Sequence, residues 1–292
     1  MYRKISRSIP KLPTPLSPSL PIFRWAGSKR KILKTLATYW DQPYRSYIEP
    51  CAGSAALFFG LQPSRAILND TNVDLIQAYE QIRDTPELVS SKLARLPISS
   101  EVYYNLRGLD PAEIDPIERC ARFIYLNRFC FNGIYRTNRQ GQFNVPYAPT
   151  KTGKLPDRDA LIAYSDLLNR VHFDTNDFES FIGEHVRQND FVYLDPPYAV
   201  NNHRIFRQYG PTTFGLSDID RLSDTLNTID ARGARFVVSY ADSMEAMALT
   251  GDRWHVKSLE TQRNVSGFSR HRRKAVELLI SNFQPNQNEI RS

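Results

Sequence analysis

Apolar and polar residues follow two periods along the chain, which predict helices interleaved with strands. In residues 30–40 the apolar side chains Ile32, Leu33, Leu36 and Trp40 fall on one face of a helix. Short apolar runs predict strands, and the amphipathic segments between them predict helices. The strands are predicted at 47–48, 66–68, 191–194, 235–239 and 275–280, with helices at 55–60 and 218–229. This alternation indicates an α/β fold with a mostly parallel sheet and helices on both faces.

The middle of the chain has a different pattern. Helices are predicted at 74–83, 86–96 and 116–129, with no strand between them. The polar segment 138–141 then separates two strand-like stretches, 134–137 and 142–145, which together predict a β-hairpin. We therefore predict a sheet domain formed by residues 21–74 and 160–285, a helical insert at 75–159 that carries the hairpin, and a flexible tail at 1–20.

The composition of the 292 residues is that of a globular protein, with 41% hydrophobic and 24% charged residues. No apolar run approaches the roughly 20 residues of a membrane helix. The start lacks the apolar core of a secretory signal. The three cysteines are too few for a disulfide or zinc framework, and the five histidines have no ligand spacing. We therefore expect a cytoplasmic protein with neither a membrane nor a metal partner.

The positive charge is concentrated in three segments, although the net charge is only +7. Residues 1–40 hold nine basic and no acidic residues, 119–158 hold eight and one, and 253–274 hold seven and one. A basic surface on an acidic body favours a polyanionic partner such as nucleic acid. Solvated basic faces without a partner are the alternative.

The tetrapeptide Asp195-Pro196-Pro197-Tyr198 directly follows the predicted strand at 191–194. Ligands of open α/β sheets bind beyond the carboxyl ends of the strands. Proline lacks a backbone donor and fixes φ, so the Pro196 carbonyl is held as an acceptor beside the Asp195 carboxylate. Two acceptors next to the flat ring of Tyr198 suit a planar ring that carries an amino group. A simple strand-ending turn is the alternative.

A second motif, residues 49–55, lies between the first strand and a helix and consists mostly of small residues. Small residues let a ligand approach the backbone, and a helix N-terminus favours an anionic group. Asp70 follows the next strand, where an acid is placed to accept hydrogen bonds from ribose hydroxyls. Together these features favour a nucleoside ligand, with a purely structural loop as the alternative.

Two further segments combine aromatic and basic residues. In residues 23–29, Trp25 is placed to cover a ligand and Lys29 to pair with a carboxylate, whereas core packing of Trp25 and helix capping by Ser28 are the alternatives. Residues 132–151 form the predicted hairpin region. A two-stranded ribbon fits the major groove of DNA, where arginine binds guanine; a solvated basic hairpin is the alternative.

In this order, the motifs resemble the Dam-type, α-class DNA adenine-N6 methyltransferases from about residue 21 to 283. Trp25 and Lys29 come first, Glu49 and Gly53 next, then the insert, and Asp195 to Tyr198 last. Further matches lie at 101–104, 126–128, 131–133 and 143–146. The resemblance implies a Rossmann-like sheet, S-adenosylmethionine (AdoMet) as methyl donor, and a monomer that flips an adenine out of double-stranded DNA.

The resemblance also implies the roles of individual residues. It implies catalytic roles for Asp195, Pro196 and Tyr198. It implies cofactor binding by Trp25, Lys29, Glu49, Gly53, Asp70, Asp177 and Asp195, and DNA binding by Arg24, Asn132, Ile134, Arg136, Pro146 and Lys151. Family members often modify GATC, but this chain departs from their pattern at Cys51, Ala55, Ile134 and residues 147–150, which leaves its target sequence open.

Two basic segments late in the chain are expected to act on DNA as well. Residues 201–214 are expected to form a mobile loop that orders on DNA, and residues 266–274 to contact phosphates, with a charged turn as the alternative for the latter. Methylation of RNA adenine or of cytosine N4 on the same scaffold, and a catalytically silent DNA-binding protein, are the competing functions. The aspartate of the tetrapeptide favours adenine, and the intact Asp195 and Tyr198 favour an enzyme.

Overall fold

The structure is a computed structural model that describes residues 20–138, 140–148, 154–198, 214–250, 252–262 and 274–285. Four expectations from the sequence fall outside these ranges. They concern the tail before Leu20, Lys151, nearly all of the segment 201–214, and residues 266–273.

The described residues form seven strands in a single sheet. They are β1 (Tyr47–Glu49), β2 (Ala66–Asn69), β3 (Val171–Asp174), β4 (Phe191–Leu194), β5 (Arg235–Ala241), β6 (His255–Gln262) and β7 (Lys274–Ser281). The order across the sheet is β3-β2-β1-β4-β5-β7-β6. Strands β1 to β5 are parallel, and β7 runs antiparallel to both β5 and β6. The expected Rossmann-like sheet is confirmed.

The order of strands reverses at β1, which pairs with β2 on one side and with β4 on the other. Ile48 lies opposite Ile67 of β2 and opposite Val192 of β4. Such a topological switch point opens a crevice beyond the carboxyl ends of the two central strands. The segments that follow β1 and β4 carry the two motifs found in the sequence, so the fold brings these motifs together.

Helices cover both faces of the sheet and form most of the insert. Those in the described ranges are α1 (Leu33–Ala37), α2 (Ala56–Leu61), α3 (Val73–Asp84), α4 (Pro86–Ala94), α5 (Ser100–Gly108), α6 (Pro116–Phe129), α7 (Arg158–Leu168), α8 (Phe178–His185), α9 (Leu216–Ala231) and α10 (Met244–Thr250). Short polar side chains cap several of them; Asn72, Ser99, Asp115 and Asp157 accept hydrogen bonds from the first turns of α3, α5, α6 and α7. None of the described helices has the length and apolar character needed to cross a membrane.

Some local predictions were wrong. The expected helix at 30–40 is a 3-10 turn, Lys29–Ile32, followed by the short α1, because Ile32 leaves the helical region at φ −108° and ψ 9°. The expected hairpin consists of single antiparallel bridges, Thr137 with Phe143 and Cys130 with Tyr147, instead of two continuous strands. Strands β3 and β6 and helices α5, α7, α8 and α10 were not predicted.

Two large hydrophobic clusters hold the helices to the sheet. One of them joins Tyr47 of β1 to Tyr79 of α3 and Phe123 of α6, so the first helices of the insert share their core with the sheet. A smaller cluster, which includes Tyr103, Tyr125, Phe129, Phe143 and Val145, holds α5, α6 and the hairpin region together. The division between residues 74 and 75 falls inside α3. The division into a sheet domain and an insert therefore stays a prediction.

Candidate active site

The crevice at the switch point is lined by segments from three strands. Asp195 to Tyr198 follow β4, and Glu49 is the last residue of β1. Strand β7 adds Glu277, which pairs in register with Ala241 at the end of β5. Because β7 is antiparallel to β5, its beginning lies at the edge of the sheet where the parallel strands end.

Lys29 connects these segments. Its Nζ donates to Asp195 Oδ1 at 2.6 Å, to the Tyr198 hydroxyl at 3.1 Å and to the Gly27 carbonyl at 3.0 Å, and it lies 3.4 Å from Glu277 Oε1. The residue is only 8% exposed. Burial lowers the pKa of Lys29, but the negative charges around it outweigh burial and raise this pKa above its ordinary value. The ammonium group is therefore charged at neutral pH.

Asp195 is held by two donors on the same oxygen. Oδ1 accepts hydrogen bonds from Lys29 and from the Ser239 hydroxyl at 3.2 Å, and Ser239 in turn lies 3.0 Å from the Tyr193 hydroxyl. Burial raises the pKa of Asp195, and the Lys29 ammonium opposes this rise. Within the described residues Oδ2 and the Pro196 carbonyl accept no hydrogen bond, so both are available to a bound ligand.

Tyr198 is fixed at its hydroxyl and along its ring. The hydroxyl donates to Glu277 Oε1 at 3.0 Å. The ring meets that of Tyr240 edge to face, with 5.1 Å between centroids and 68° between planes. An aromatic ring held in this way beside two acceptors is a preformed stacking surface.

The loop after β1 adopts a backbone conformation that favours glycine. Gly53 has φ +49°, and its N–H donates to Asp70 Oδ2 at 2.9 Å, while Asp70 Oδ1 accepts from Asn72 N at 2.9 Å. Burial raises the pKa of Asp70, and these two donors oppose the rise. Asp70 therefore braces the loop, and each of its oxygens keeps a second lone pair for a ligand. Ala55 also has a positive φ, 49°.

Trp25 lies against this loop. A Cβ on Gly53 would stand 2.6 Å from Trp25 Cδ1, so the indole and the loop backbone are in direct contact. On its other side the indole stacks on Tyr135, whose hydroxyl donates to Asp74 Oδ2 at 2.9 Å. Trp25 is half-buried and packs against the main core, so it belongs to both the core and the crevice.

Carboxylates are concentrated around the crevice. Glu49 is 2% exposed and accepts a hydrogen bond from the Tyr47 hydroxyl at 2.8 Å. Burial, followed by the charges of Asp195 and Asp70, raises the pKa of Glu49 well above its ordinary value. The pKa of the Cys51 thiol is raised by burial and by the same carboxylates. A cation bound here would relieve this mutual repulsion.

Asp177 reaches the crevice through the loop after β3. Asn69 ties the loops together, because its Nδ2 donates to the Pro50 carbonyl at 2.8 Å and its Oδ1 accepts from Asn176 N at 2.8 Å. The Asp177 side chain accepts from Glu179 N at the start of α8 and forms an ion pair with Arg221. Its carboxylate is therefore held by donors of the protein itself, and cofactor binding by Asp177 stays a prediction.

Five of the expected DNA-binding residues lie within the described ranges, on the segment around Arg24 and in the hairpin region. Arg24 is anchored to α6, since its N–H donates to Asn127 Oδ1 at 2.9 Å and its side chain donates to the Arg128 carbonyl at 3.2 Å. Arg24 touches Gly133, which separates Asn132 from Ile134.

The other expected DNA-binding residues have partners within the hairpin region or are exposed. Arg136 Nε donates to Asn144 Oδ1 at 2.7 Å. Asn132 and Pro146 are exposed, and the Pro146 carbonyl accepts from Phe131 N at 2.9 Å, which connects the two halves of the region.

The family is decided by comparison with known proteins. The profile of the D12 class N6 adenine-specific DNA methyltransferases matches residues 25–266, most of the chain. The chain belongs to this family. This D12 class methyltransferase is 34% identical over 272 residues to the Type II methyltransferase M1.LlaDCHI of Lactococcus lactis subsp. cremoris. The match covers 90% of this chain and 95% of the relative.

Two more relatives have similar coverage. The Type II methyltransferase M.MjaIII of Methanocaldococcus jannaschii is 31% identical over 286 residues, which cover 90% of this chain and 99% of the relative. The DNA adenine methylase of Haemophilus influenzae is 30% identical over 270 residues, with coverages of 89% and 92%. The expected enzyme class, a DNA adenine methyltransferase, is thereby confirmed.

Sequence reasoning missed several residues of this D12 class site. Glu277, Ser239 and Tyr193 contact Asp195, Tyr198 or each other, and Tyr135 supports Trp25. Only Glu277 left a signal in the sequence, as a single acid within the apolar run 276–280. A charge at such a position is costly unless it has a partner, which is the clue that was available.

One group outside the crevice bears on the expectation that no metal binds. Asp174, Glu184 and His185 offer ligand atoms that all lie within 4.8 Å of one another, beside the edge strand β3. His185 therefore has acidic neighbours that its spacing along the sequence did not indicate. His185 Nε2 lies 3.1 Å from Asp174 Oδ2, which is hydrogen-bond distance.

Proposed function

We propose that this D12 class methyltransferase transfers a methyl group from AdoMet to the exocyclic N6 amine of an adenine flipped out of double-stranded DNA. It acts as a monomer at a short specific sequence, which is GATC or a related one. The observation that carries the proposal is the pair of available acceptors, Asp195 Oδ2 and the Pro196 carbonyl, beside the fixed ring of Tyr198.

The crevice fits AdoMet in charge and shape. Burial and the charges of Asp195 and Asp70 raise the pKa of Glu49, so a positively charged sulfonium would lower the repulsion between these carboxylates. Gly53 and Trp25 are in direct contact, so the loop backbone and the indole form one continuous surface with no side chain between them. The residues that would hold the cofactor are Trp25, Lys29, Glu49, Gly53, Asp70, Asp177 and Asp195. When bound, AdoMet supplies a methyl group activated by the positive sulfur.

The residues of the chain act mainly on the amine. The adenine N6 lone pair is delocalised into the ring, which makes the amine a weak nucleophile. Hydrogen bonds from the amine to Asp195 Oδ2 and to the Pro196 carbonyl favour its pyramidal form and aim the lone pair at the methyl group. Asp195 acts as an acceptor, and the proton leaves after the transfer. The Lys29 ammonium favours the ionised form of Asp195 and so opposes the effect of burial on its pKa.

A base in a duplex cannot reach this crevice, so the adenine must leave the helix and stack on Tyr198. Arg24, Asn132, Ile134, Arg136, Pro146 and Lys151 are the proposed DNA contacts. The hydrogen bond to Asn144 orients the Arg136 guanidinium, which suits a directed contact with a base edge. Bacterial and phage relatives support action in the cytoplasm of a prokaryotic cell, on its own DNA or that of a phage.

Expression in a host that lacks DNA methylation tests the proposal. Sequencing of the host DNA should reveal N6-methyladenine in one short context when the wild-type protein is expressed. The variant Asp195→Ala should leave the DNA unmethylated, whereas the exposed Asp220→Ala on α9 should methylate like wild type. Unmethylated DNA with the wild-type protein, or equal methylation with Asp195→Ala, would contradict the proposal.

A further inference from the structure

We propose that Glu277 is a positioning residue for methyl transfer. It holds the Tyr198 ring on which the target adenine stacks, and it steadies the ammonium group of Lys29 beside Asp195. The inference rests on the proposed function, because it assumes that the adenine binds between Asp195 and Tyr198.

The burial of Glu277 is the first observation. The residue is 5% exposed and lies on β7, where its neighbours Leu278, Leu279 and Ile280 belong to the core. A buried carboxylate is costly, and replacing a buried ion pair by apolar residues is often neutral or stabilising. Stability alone therefore does not explain an acid at this position of an otherwise apolar strand.

The partners of Glu277 are the second observation. Its Oε1 accepts from the Tyr198 hydroxyl at 3.0 Å and lies 3.4 Å from Lys29 Nζ. Both partners also contact the site directly, since Lys29 binds Asp195 at 2.6 Å and Tyr198 belongs to the same segment as Asp195. Glu277 would thus act on the proposed substrate through Tyr198 and Lys29, which is what a positioning residue does.

Glu277 acts on Tyr198 through the hydroxyl. Tyr240 restrains the ring from one side, and the bond to Glu277 fixes the far end of the side chain. Without Glu277 the hydroxyl loses this acceptor, although it keeps its contact with Lys29. The ring then gains freedom to tilt, and a displacement of about 1 Å at a reacting group can lower a rate by about 100-fold.

The charge of Glu277 has a separate role. Lys29 lies between Asp195 and Glu277, and the second carboxylate adds to the field that holds the ammonium in place. Glu277→Gln removes this charge but keeps an oxygen that accepts from Tyr198. Glu277→Ala removes both, so the two variants separate orientation from charge.

A double-mutant cycle with Tyr198→Phe tests the inference. The readouts are the single-turnover rate of methyl transfer, the AdoMet dissociation constant, and the fluorescence of 2-aminopurine at the target position of a duplex. We expect Glu277→Ala and Tyr198→Phe each to lower the rate by about 10- to 100-fold and to change the 2-aminopurine signal. AdoMet affinity should stay within about twofold. The double variant should be no slower than the slower single variant, because both changes remove the same contact.

Glu277→Gln should lower the rate of methyl transfer less than Glu277→Ala does. If Glu277→Ala does not fold, Glu277→Gln replaces it in the double-mutant cycle. Asp190 provides a matched control, since it is a fully buried acid that pairs with Arg45 at the opposite end of β4. Asp190→Asn should lower the free energy of unfolding but leave the rate of the folded enzyme unchanged.

Three results would overturn the inference. The first is a wild-type rate in every folded Glu277 variant. The second is strict additivity with Tyr198→Phe. The third is a loss of rate in Asp190→Asn equal to that in the Glu277 variants. No transfer by the wild-type protein would instead overturn the proposed function, and the inference with it.

Discussion

Trp25 stacks on Tyr135, with 5.7 Å between ring centroids and 22° between planes. The pair joins the proposed cofactor-binding region to the proposed DNA-binding region. Trp25 follows Arg24 and lies against Gly53 of the loop after β1. Tyr135 lies between Ile134 and Arg136 of the proposed DNA-binding region. With the proposed roles, binding of the cofactor and binding of DNA would both act on these stacked rings.

Loss of this stack should weaken AdoMet binding. A stacked aromatic pair contributes about 0.5–1.5 kcal/mol, so Tyr135→Ala should raise the AdoMet dissociation constant by up to about tenfold. Tyr135→Phe keeps the ring, loses the hydroxyl with its bond to Asp74, and should have a smaller effect. Calorimetric titration measures both, with Tyr104→Ala on α5 as the control. Equal affinities of Tyr135→Ala and wild type would refute the role of the stack.

Gly53→Ala should damage both stability and cofactor binding. The added Cβ would stand 2.6 Å from Trp25 Cδ1 at a backbone φ of +49°. Strain of this kind costs about 1–3 kcal/mol, and the displaced indole should also weaken AdoMet binding. Urea denaturation and AdoMet titration measure the two effects.

The control for this change is Gly183→Ala in α8, where a Cβ meets no atom within 4 Å. Alanine is the better helix former, so this variant should be as stable as wild type or more so. If Gly53→Ala proved as stable as Gly183→Ala, the close contact between the loop and Trp25 would be wrong.

Glu49 should make stability depend on pH. Burial raises the folded-state pKa of Glu49 above its unfolded value of about 4.3. Its contribution to stability is therefore fully present below about pH 4.3 and is lost as the pH rises through the folded-state pKa. The stability of Glu49→Gln relative to wild type should accordingly increase with pH.

Urea unfolding of Glu49→Gln and wild type at a series of pH values from 5 to 9 measures this trend. Glu113→Gln, at an exposed position, is the control and should show a constant difference from wild type. A constant difference for Glu49→Gln as well would mean that Glu49 does not titrate as the structure indicates.

Arg136 should determine part of the sequence preference. If its guanidinium binds a base edge, Arg136→Ala should weaken binding to the preferred duplex by about 1–3 kcal/mol and relax the preference at one position. Asn144→Ala removes the acceptor that orients Arg136 and should have the same effect on a smaller scale. Fluorescence anisotropy with variant duplexes measures both.

The control is Arg65→Ala, at an exposed position before β2 on the edge of the sheet opposite to the crevice. It should leave the sequence preference unchanged. For the wild-type protein, the logarithm of affinity should fall steeply with the logarithm of salt concentration, because phosphate contacts release counterions. A flat salt response would contradict the role given to the basic segments.

Local patterns in the sequence were sufficient to predict the main features of the fold and the family. The apolar run at 191–194 followed by Asp195-Pro196-Pro197-Tyr198, and the small residues after β1, each lie in one continuous segment, so both could be recognised directly. Strand β3 was missed because it is a four-residue edge strand in which buried and exposed residues alternate. A pattern this short does not stand out from a loop.

The contacts that complete the site could not be predicted, because they join distant parts of the chain. Glu277 reaches Lys29 and Tyr198 only because β7 returns antiparallel beside β5. Tyr135 reaches Trp25 only because α6 and the Arg24 segment are joined through Asn127. Neither pairing has a local period or spacing that would indicate it.

The transfer of labelled methyl from AdoMet by the purified protein tests the role of the crevice most directly. Duplex DNA and RNA are offered in parallel in single-turnover reactions, and the products are digested to nucleosides. Wild-type protein should place the label on N6 of adenine in the duplex, and Asp195→Ala should lower the rate by at least about 100-fold. Label on cytosine or on RNA, or an equal rate for Asp195→Ala, would contradict the mechanism.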